Sequence, residues 1–521
     1  MQERAPGVLG MSRARLVGAL ALFAWLAFAI GLHPLTLPEE GRYVGVAWEM
    51  LRSGDWIVPT QNGLPFFHKP PLFYWLTAAS MQVFGTNAAA ARFAPLLAAC
   101  VAAFGFYAVT RRRAGAALAG VALLVLATMP FFFGAAQFAN LDMLVAAFIA
   151  LAIVFAADAA LDLRQGRPHR RPLVLAWTCA ALGVLAKGLI GLVLPGLVMV
   201  VWLVISGQAR TILRLVSPLG LAMFALIVLP WFIAVQQRYP GFARYFFVYH
   251  HFERFTASGF NNAQPWWFFL VAVPLLTLPW SLWLARSRLR AATDDAPDRA
   301  AWRQLMWTWL VSVVFFFSLP ESKPVGYAMP VLFPLAFLIA EPVLAAGRGG
   351  AGARRLVVAS IGAAAAVCLL AVAWAATRYD RDNTALAHAL RQLREPGEPI
   401  VFVNEYFFDI PLHARLEDPV PVIADWSAAK VGERDNWRRE LAEAAPFAPR
   451  TAAAVLVDAT RGYALRCGKA RLWAVAKLKD DALLAAQPAA TRVLASNRAV
   501  LWRLAPLPCT AGSTPKPAPS S

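Results

Sequence analysis

Glu39, Glu40 and Arg42, followed by His68 and Lys69 ahead of Pro70-Pro71, concentrate carboxylates, cations and an imidazole between Leu37 and Pro71. Acids beside cations suit group transfer. A carboxylate orients or deprotonates an acceptor, while Arg and Lys neutralise a departing phosphate. The stretch follows directly on an apolar run, so its polar groups lie where a membrane presents the head of a lipid-linked substrate. Ionisable residues recur beside later apolar runs. Asp142 follows Asn140, Lys187 interrupts ALGVLAKGLIGLVLPG, His250, His251, Glu253 and Arg254 lie in YHHFERF, and Lys323 and Tyr327 in SLPESKPVGY. Ionisable groups at membrane depth are costly and mark functional positions.

Each has a plainer use. Glu39 and Glu40 suit the acidic first turn of any helix. Lys69 could snorkel toward headgroups, and Asp142 could serve as a helix N-cap. His68 and His251 are either interfacial polar residues or, as neutral imidazoles, ligands for a divalent cation, zinc or magnesium. Lys187 resists such a reading, because Ala or Leu would continue the run that it breaks.

The elements that must position these residues follow from composition. Of 521 residues, 59% are hydrophobic and 15% charged, with mean hydropathy +0.54. A soluble chain of this length carries far more surface charge. Apolar runs near 16–33, 92–110, 115–133, 141–160, 172–186, 188–206, 213–235, 265–285, 304–320, 327–345 and 355–376 predict helical crossings. Allowing for soft boundaries, residues 1–376 form an all-α polytopic membrane domain of about 11–13 transmembrane helices.

The net charge of +19 is no sign of nucleic-acid binding. Arginines crowd alternate connections, at 111–113, 164–171, 210–214, 286–303 and 348–355, which is the positive-inside pattern. It places the N-terminus in the cytoplasm, with the 34–91 loop and the tail on the outer side of the membrane. Segments 41–52 and 71–84 are amphipathic and too short to cross, so they lie in the interface plane. From Thr377 a helix near 384–394 alternates with strand-like runs at 400–403, 420–424, 453–457, 472–478 and 491–504, a small soluble α/β domain over 377–510. The Pro- and Ser-rich end, 511–521, reads as disordered. Cys467 and Cys509 share this tail, where a disulfide is one option. There is no Gly-rich phosphate loop, so no nucleotide cofactor is expected.

PEEGRY…EMLRSGDWIVPTQNGLPFFHKPPLFYWLTAASMQVFG resembles the first periplasmic loop of the lipid A aminoarabinose transferases. These are GT-C glycosyltransferases related to the protein O-mannosyltransferases. NLDM, AKGLIG, HFERF and SKPVGYAMP continue the resemblance in order. It implies inverting transfer from an undecaprenyl-phosphate-linked sugar at the periplasmic face, to lipid A or another envelope glycolipid within the lipid bilayer. The catalytic acids would fall on Glu39, Glu40 and Asp142. Donor-phosphate cations would fall on Arg42, Lys69, Lys187 and Lys323, substrate contacts on Phe66, Tyr327 and Arg254, and the family's histidine on His251. The chain departs from the family at Glu39, Phe66 and His68, where Asp, Tyr and Glu are usual. The sugar is by preference 4-amino-4-deoxy-L-arabinose. Another sugar passed to lipopolysaccharide or a protein hydroxyl is the alternative among enzymes, and a lipid-linked sugar transporter the alternative of another class.

Overall fold

The computed structural model describes residues 13–253, 262–286, 296–377, 382–433, 435–467 and 471–508, and no side chain in 13–15 or 249–253. Helices α1 (Arg13–Ala27), α2 (Glu39–Ser53), α3 (Leu72–Phe84), α4 (Ala88–Ala114), α5 (Ala116–Thr128), α6 (Pro130–Ala136), α7 (Leu141–Arg164), α8 (Arg170–Lys187), α9 (Ile190–Ile205), α10 (Ala209–Leu215) and α11 (Pro218–Arg238) come first. They are followed by α12 (Phe268–Leu276), α13 (Pro297–Ser318), α14 (Leu332–Gly347) and α15 (Ala351–Ala376). Every apolar run read from the sequence overlaps one of these helices. Among the described residues six helical stretches are long and apolar enough to cross a membrane, or eight if each bent pair is one span. The chain is a multi-pass membrane protein. The bends, 67° between α5 and α6 and 114° after α12, fall beside Pro130 and Pro279, which cannot continue a helical ladder.

Asn87 and Asn140 cap α4 and α7 by accepting from the amides of Ala90 and Asp142. At the other end of the bundle Arg113 of α4 reaches Asp158 and Asp162 of α7 at 2.6 and 2.7 Å. Two of the arginines that made the charge pattern, Arg112 and Arg113, are therefore ion-paired. Gly183 and Gly191 let α8 and α9 touch backbone to backbone, and a Cβ on Gly191 would overlap Gly183.

Between α2 and α3 the sequence Gln61-Asn62-Gly63-Leu64 forms a hairpin of β1 (Thr60–Gln61) and β2 (Leu64–Pro65). Its central residues take φ of 55° and 73°, which Asn-Gly tolerates best. Buried Glu49 braces it from α2, accepting from Thr60 Oγ1, Asn62 N and Gly63 N at 2.8, 2.6 and 3.0 Å.

After α15 the chain forms α16 (Thr384–Leu393) and a six-stranded sheet. Its strands are β3 (Ile400–Val403), β4 (Val422–Ile423), β5 (Leu456–Val457), β6 (Leu472–Lys477), β7 (Ala490–Ala495) and β8 (Ala499–Leu504), in the order β5-β4-β3-β6-β8-β7. Pairs among β5, β4, β3 and β6 are parallel, and β8 and β7 add antiparallel. The run at 453–457 is mostly helix rather than strand, because Pro449 at the first helical position starts a turn that Ala452–Ala454 continue. The Cys467–Cys509 pairing lies outside the described residues.

This unit docks on the hairpin. Asn62 Nδ2 donates to Val420 O at 2.8 Å and Val420 N donates to Asn62 Oδ1 at 2.7 Å, as a strand partner would. Phe447 packs on Phe67 and Tyr245, with ring centroids 5.0 and 5.3 Å apart.

Candidate active site

Helix α2 presents Glu39, Arg42 and Tyr43 on one face, since residues three and four apart share a side of a helix. Glu39, about half exposed, pairs with Arg42 Nη2 at 2.9 Å. Arg42 also binds Glu440 of the C-terminal domain at 2.5 Å and lies 4.9 Å from the Tyr43 ring centroid. Burial pulls the Arg42 guanidinium down, but Tyr43, Glu440 and Glu39 outweigh it and hold the group above its ordinary value. Tyr43 was not singled out from sequence. Burial pushes its phenol up to about 12, and it lies within electrostatic reach of Arg42, Glu39, Lys187 and Asp142. These neighbours belong to two charged groups, of which Glu39 with Arg42 is the first.

The second group is Asp142 with Lys187. Asn140 caps α7, so the Asp142 side chain is not needed as a cap and instead pairs with Lys187 Nζ. Lys187 ends α8, where Gly188 at φ 107° turns the chain into α9. Its ammonium sits 4.5 Å over the ring of Tyr327. Gly326 makes room for Asp142: a Cβ there would overlap the carboxylate.

Both groups line one cavity of about 2030 Å³. Phe66, His68 and Lys69 line it as well, with Phe66 stacked on His68 at 4.9 Å. Apolar side chains line it too, among them Val145, Ile149, Ile190, Leu276, Phe316 and Trp374. An amphiphile with a phosphate head matches such a shape: cations for the head and an apolar channel for the tail.

Two residues of the expected set point elsewhere. Glu40, placed with the catalytic acids by its sequence position, is fully buried on the other side of α2. It takes Arg92 Nε and Nη2 at 2.7 and 2.8 Å, and the amides of Ala139 and Thr36 at 2.7 and 2.8 Å. Arg92 also donates to the carbonyls of Ile30, His33 and Pro34, so its whole guanidinium is engaged. This knot ties the start of the loop, α2, α4 and the corner ahead of Asp142 together, which makes Glu40 a positioning residue. Lys323, expected at the donor phosphate, is 3% exposed and donates to the carbonyls of Gln264 and Pro320. All the other residues of 319–327 line the cavity, whereas Lys323 is drawn from it by the two carbonyls that hold its ammonium.

Arg254 and the His251 side chain lie outside the described residues. His68 Nε2 is 3.3 Å from Tyr245 Oη. Among the described residues no three His, Cys, Asp or Glu converge as a metal site requires.

Arg92→Ala strands the Glu40 carboxylate without its cation, a change that costs about 3–5 kcal/mol. Thermal unfolding in detergent should show a marked fall in Tm that Arg92→Lys does not restore, since a lysine cannot span these acceptors. Burial raises the Glu40 carboxyl, and Arg92 with the two amides outweighs it, so the folded group lies below its ordinary range. Its stabilisation is therefore full above that range and lost as pH falls through the depressed folded value. In the Arg92→Ala protein this part of the acid sensitivity should be gone.

A family model described as dolichyl-phosphate-mannose-protein mannosyltransferase matches residues 68–233. The chain is 32% identical over 331 residues to an undecaprenyl phosphate-α-4-amino-4-deoxy-L-arabinose arabinosyl transferase of Pseudomonas fluorescens (strain Pf0-1), covering 62% of this chain and 57% of that one. It is 33% identical over 345 residues to the protein so named in Pseudomonas aeruginosa (strain LESB58), covering 64% and 60%. The chain thus spans 57% and 60% of these curated relatives. Its fold is similar to that of ArnT from Cupriavidus metallidurans bound to undecaprenyl phosphate, with TM-score 0.77 and 22% identity over 97% of this chain and 100% of that one. An oligosaccharyltransferase of Archaeoglobus fulgidus is similar at TM-score 0.55 and 13% identity, over 90% and 70%. At these identities the likeness to the solved structures is one of fold.

Proposed function

This chain belongs to the GT-C glycosyltransferase family of the aminoarabinose transferases and protein O-mannosyltransferase-like proteins, and from that premise we propose that it transfers a sugar from undecaprenyl phosphate to an envelope glycolipid. The sugar is 4-amino-4-deoxy-L-arabinose and the acceptor a lipid A phosphate. The observation that carries this reading is a cavity lined by Glu39, Arg42, Asp142 and Lys187 together with many apolar side chains. The alternation of arginines along the chain supports an inner-membrane protein whose cavity opens to the periplasm.

An oxygen of the acceptor phosphate attacks the anomeric carbon as the bond from that carbon to the polyprenyl phosphate oxygen breaks. The bonding pair leaves with the phosphate, and the configuration inverts. Arg42, Lys69 and Lys187 neutralise the charge that grows on the leaving group, a term worth several kcal/mol in a site closed to water. A phosphate acceptor is already ionised, so no base is needed, and Glu39 and Asp142 orient the sugar and the cations instead. No step runs through a divalent cation. The ionisable residues that line the cavity stand at helix ends, Glu39 at the start of α2, Asp142 at the start of α7 and Lys187 at the end of α8, rather than at mid-span, which favours an enzyme over a transporter.

Mass spectrometry of lipid A from cells with and without the protein tests the reading. The expected result is a mass increment of one pentosamine per modified phosphate that depends on the protein. Identical lipid A spectra would overturn it.

A further inference from the structure

Glu440 reaches the cavity from outside the membrane helices. It sits on α17 (Trp437–Ala444) of the C-terminal domain, is 6% exposed, and gives one oxygen to Arg42 Nη1. Its other oxygen, Oε2, has no hydrogen-bond partner among the described residues, and neither has Arg42 Nε or the hydroxyl of Tyr74. Tyr74, fully buried on α3, lies within electrostatic reach of both Arg42 and Glu440. Buried polar atoms are nearly always paired, so three orphans around one guanidinium mark a place where a polar group is missing. The cavity lining also carries more carboxylates than basic side chains, although the whole chain has a charge of +19. Phosphate alone does not account for that surplus. A ligand that carries a cation as well as a phosphate does.

We propose that Glu440, with Tyr74 behind it, forms the subsite that takes the ammonium group of the donor's sugar. This rests on the reading above, that the donor is a lipid-linked sugar, and adds that the C-terminal domain selects which sugar. An ammonium offers donors only, and Glu440, which lines the cavity, keeps Oε2 as an unpaired acceptor, while Tyr74 stands behind the lining with its hydroxyl unpaired. Arg42 then has two tasks: it holds Glu440 in place through Nη1, and it keeps Nε for an oxygen of the sugar or phosphate. A sugar with a hydroxyl in place of the amine loses the charge-assisted bond, the stronger of the two kinds.

The test uses the purified full-length protein with two donors, undecaprenyl phosphate carrying the 4-amino pentose and the same pentose with a 4-hydroxyl. The readout is the ratio of transfer rates. In Glu440→Gln the amide oxygen still accepts from Arg42, so the domain stays docked, but an NH2 group replaces the free acceptor. The preference for the amino sugar should fall about tenfold to a hundredfold. Tyr74→Phe, which removes only the hydroxyl, should move the ratio the same way by a smaller factor. Ratios equal to wild type in both variants overturn the subsite, because a structural role lowers both rates together. A wild-type protein that transfers the hydroxyl sugar as fast as the amino sugar also overturns it while leaving the transferase reading intact. A wild-type protein inactive on both donors overturns that reading and the subsite with it.

Discussion

Lys187→Met should lower sugar transfer by about a hundredfold to a thousandfold while the protein still folds and inserts. Lys187 ends its helix with the ammonium held between the Asp142 carboxylate and the face of Tyr327, and it lines the cavity. A methionine keeps the length and the apolar stem and removes only the charge. Two losses follow. The leaving phosphate loses a cation placed for it, and Asp142 loses the partner that fixes its rotamer. Asp142→Asn should cost a similar factor, because its amide cannot hold the ammonium as a carboxylate does. The double variant separates the roles: if the pair acts as a unit, its rate equals that of the worse single variant instead of the product of both losses. Rates from a purified-enzyme assay, with Tm as a control for folding, decide this. Near wild-type transfer by Lys187→Met would remove the pair from the mechanism.

The parts of this site that were legible in the sequence are those a local pattern can carry. Acids and a base three residues apart on an amphipathic helix put Glu39 and Arg42 together, and a lysine inside an apolar run announced Lys187. What local pattern cannot settle is the direction of a side chain relative to the rest of the fold. Glu39 and Glu40 are adjacent, so they point about 100° apart on a helix, and only one can face the cavity. The choice is made by Arg92, fifty-two positions away, which takes Glu40. Lys323 turns away for a related reason: the carbonyls of Pro320 and of Gln264, fifty-nine positions away, take its ammonium. Tyr43 could have been found, as it stands four residues from Glu39 on the same face. Glu440 could not. It is 398 positions from Arg42, and nothing near it in sequence suggests a membrane-facing role. The hairpin that docks its domain did leave a signal, the Asn62-Gly63 turn, which stands among strand-length neighbours.

Gly326→Ala is the smallest change expected to silence the site. Gly326 lies in the tight turn Val325–Val331 that leads into α14, and it is buried against Asp142. A methyl built on it overlaps a carboxylate oxygen of Asp142 and its carbon, and stands 3.1 Å from Asp142 Cβ. Relief can come in two ways, and both disturb the same pair. If the carboxylate swings aside, the ammonium of Lys187 follows it or loses it. If the turn backs away, it carries Tyr327 from beneath Lys187. A displacement of about 1 Å at reacting groups costs roughly a hundredfold in rate. The loss should appear in kcat with little change in KM for the donor, because Arg42 on α2, proposed to meet the donor phosphate, is untouched. Stability should fall by only about 1–3 kcal/mol, the usual range for one extra methyl in a packed region. Measured kcat within threefold of wild type would mean that Asp142 can move without consequence, and its place in the site would then rest on proximity alone.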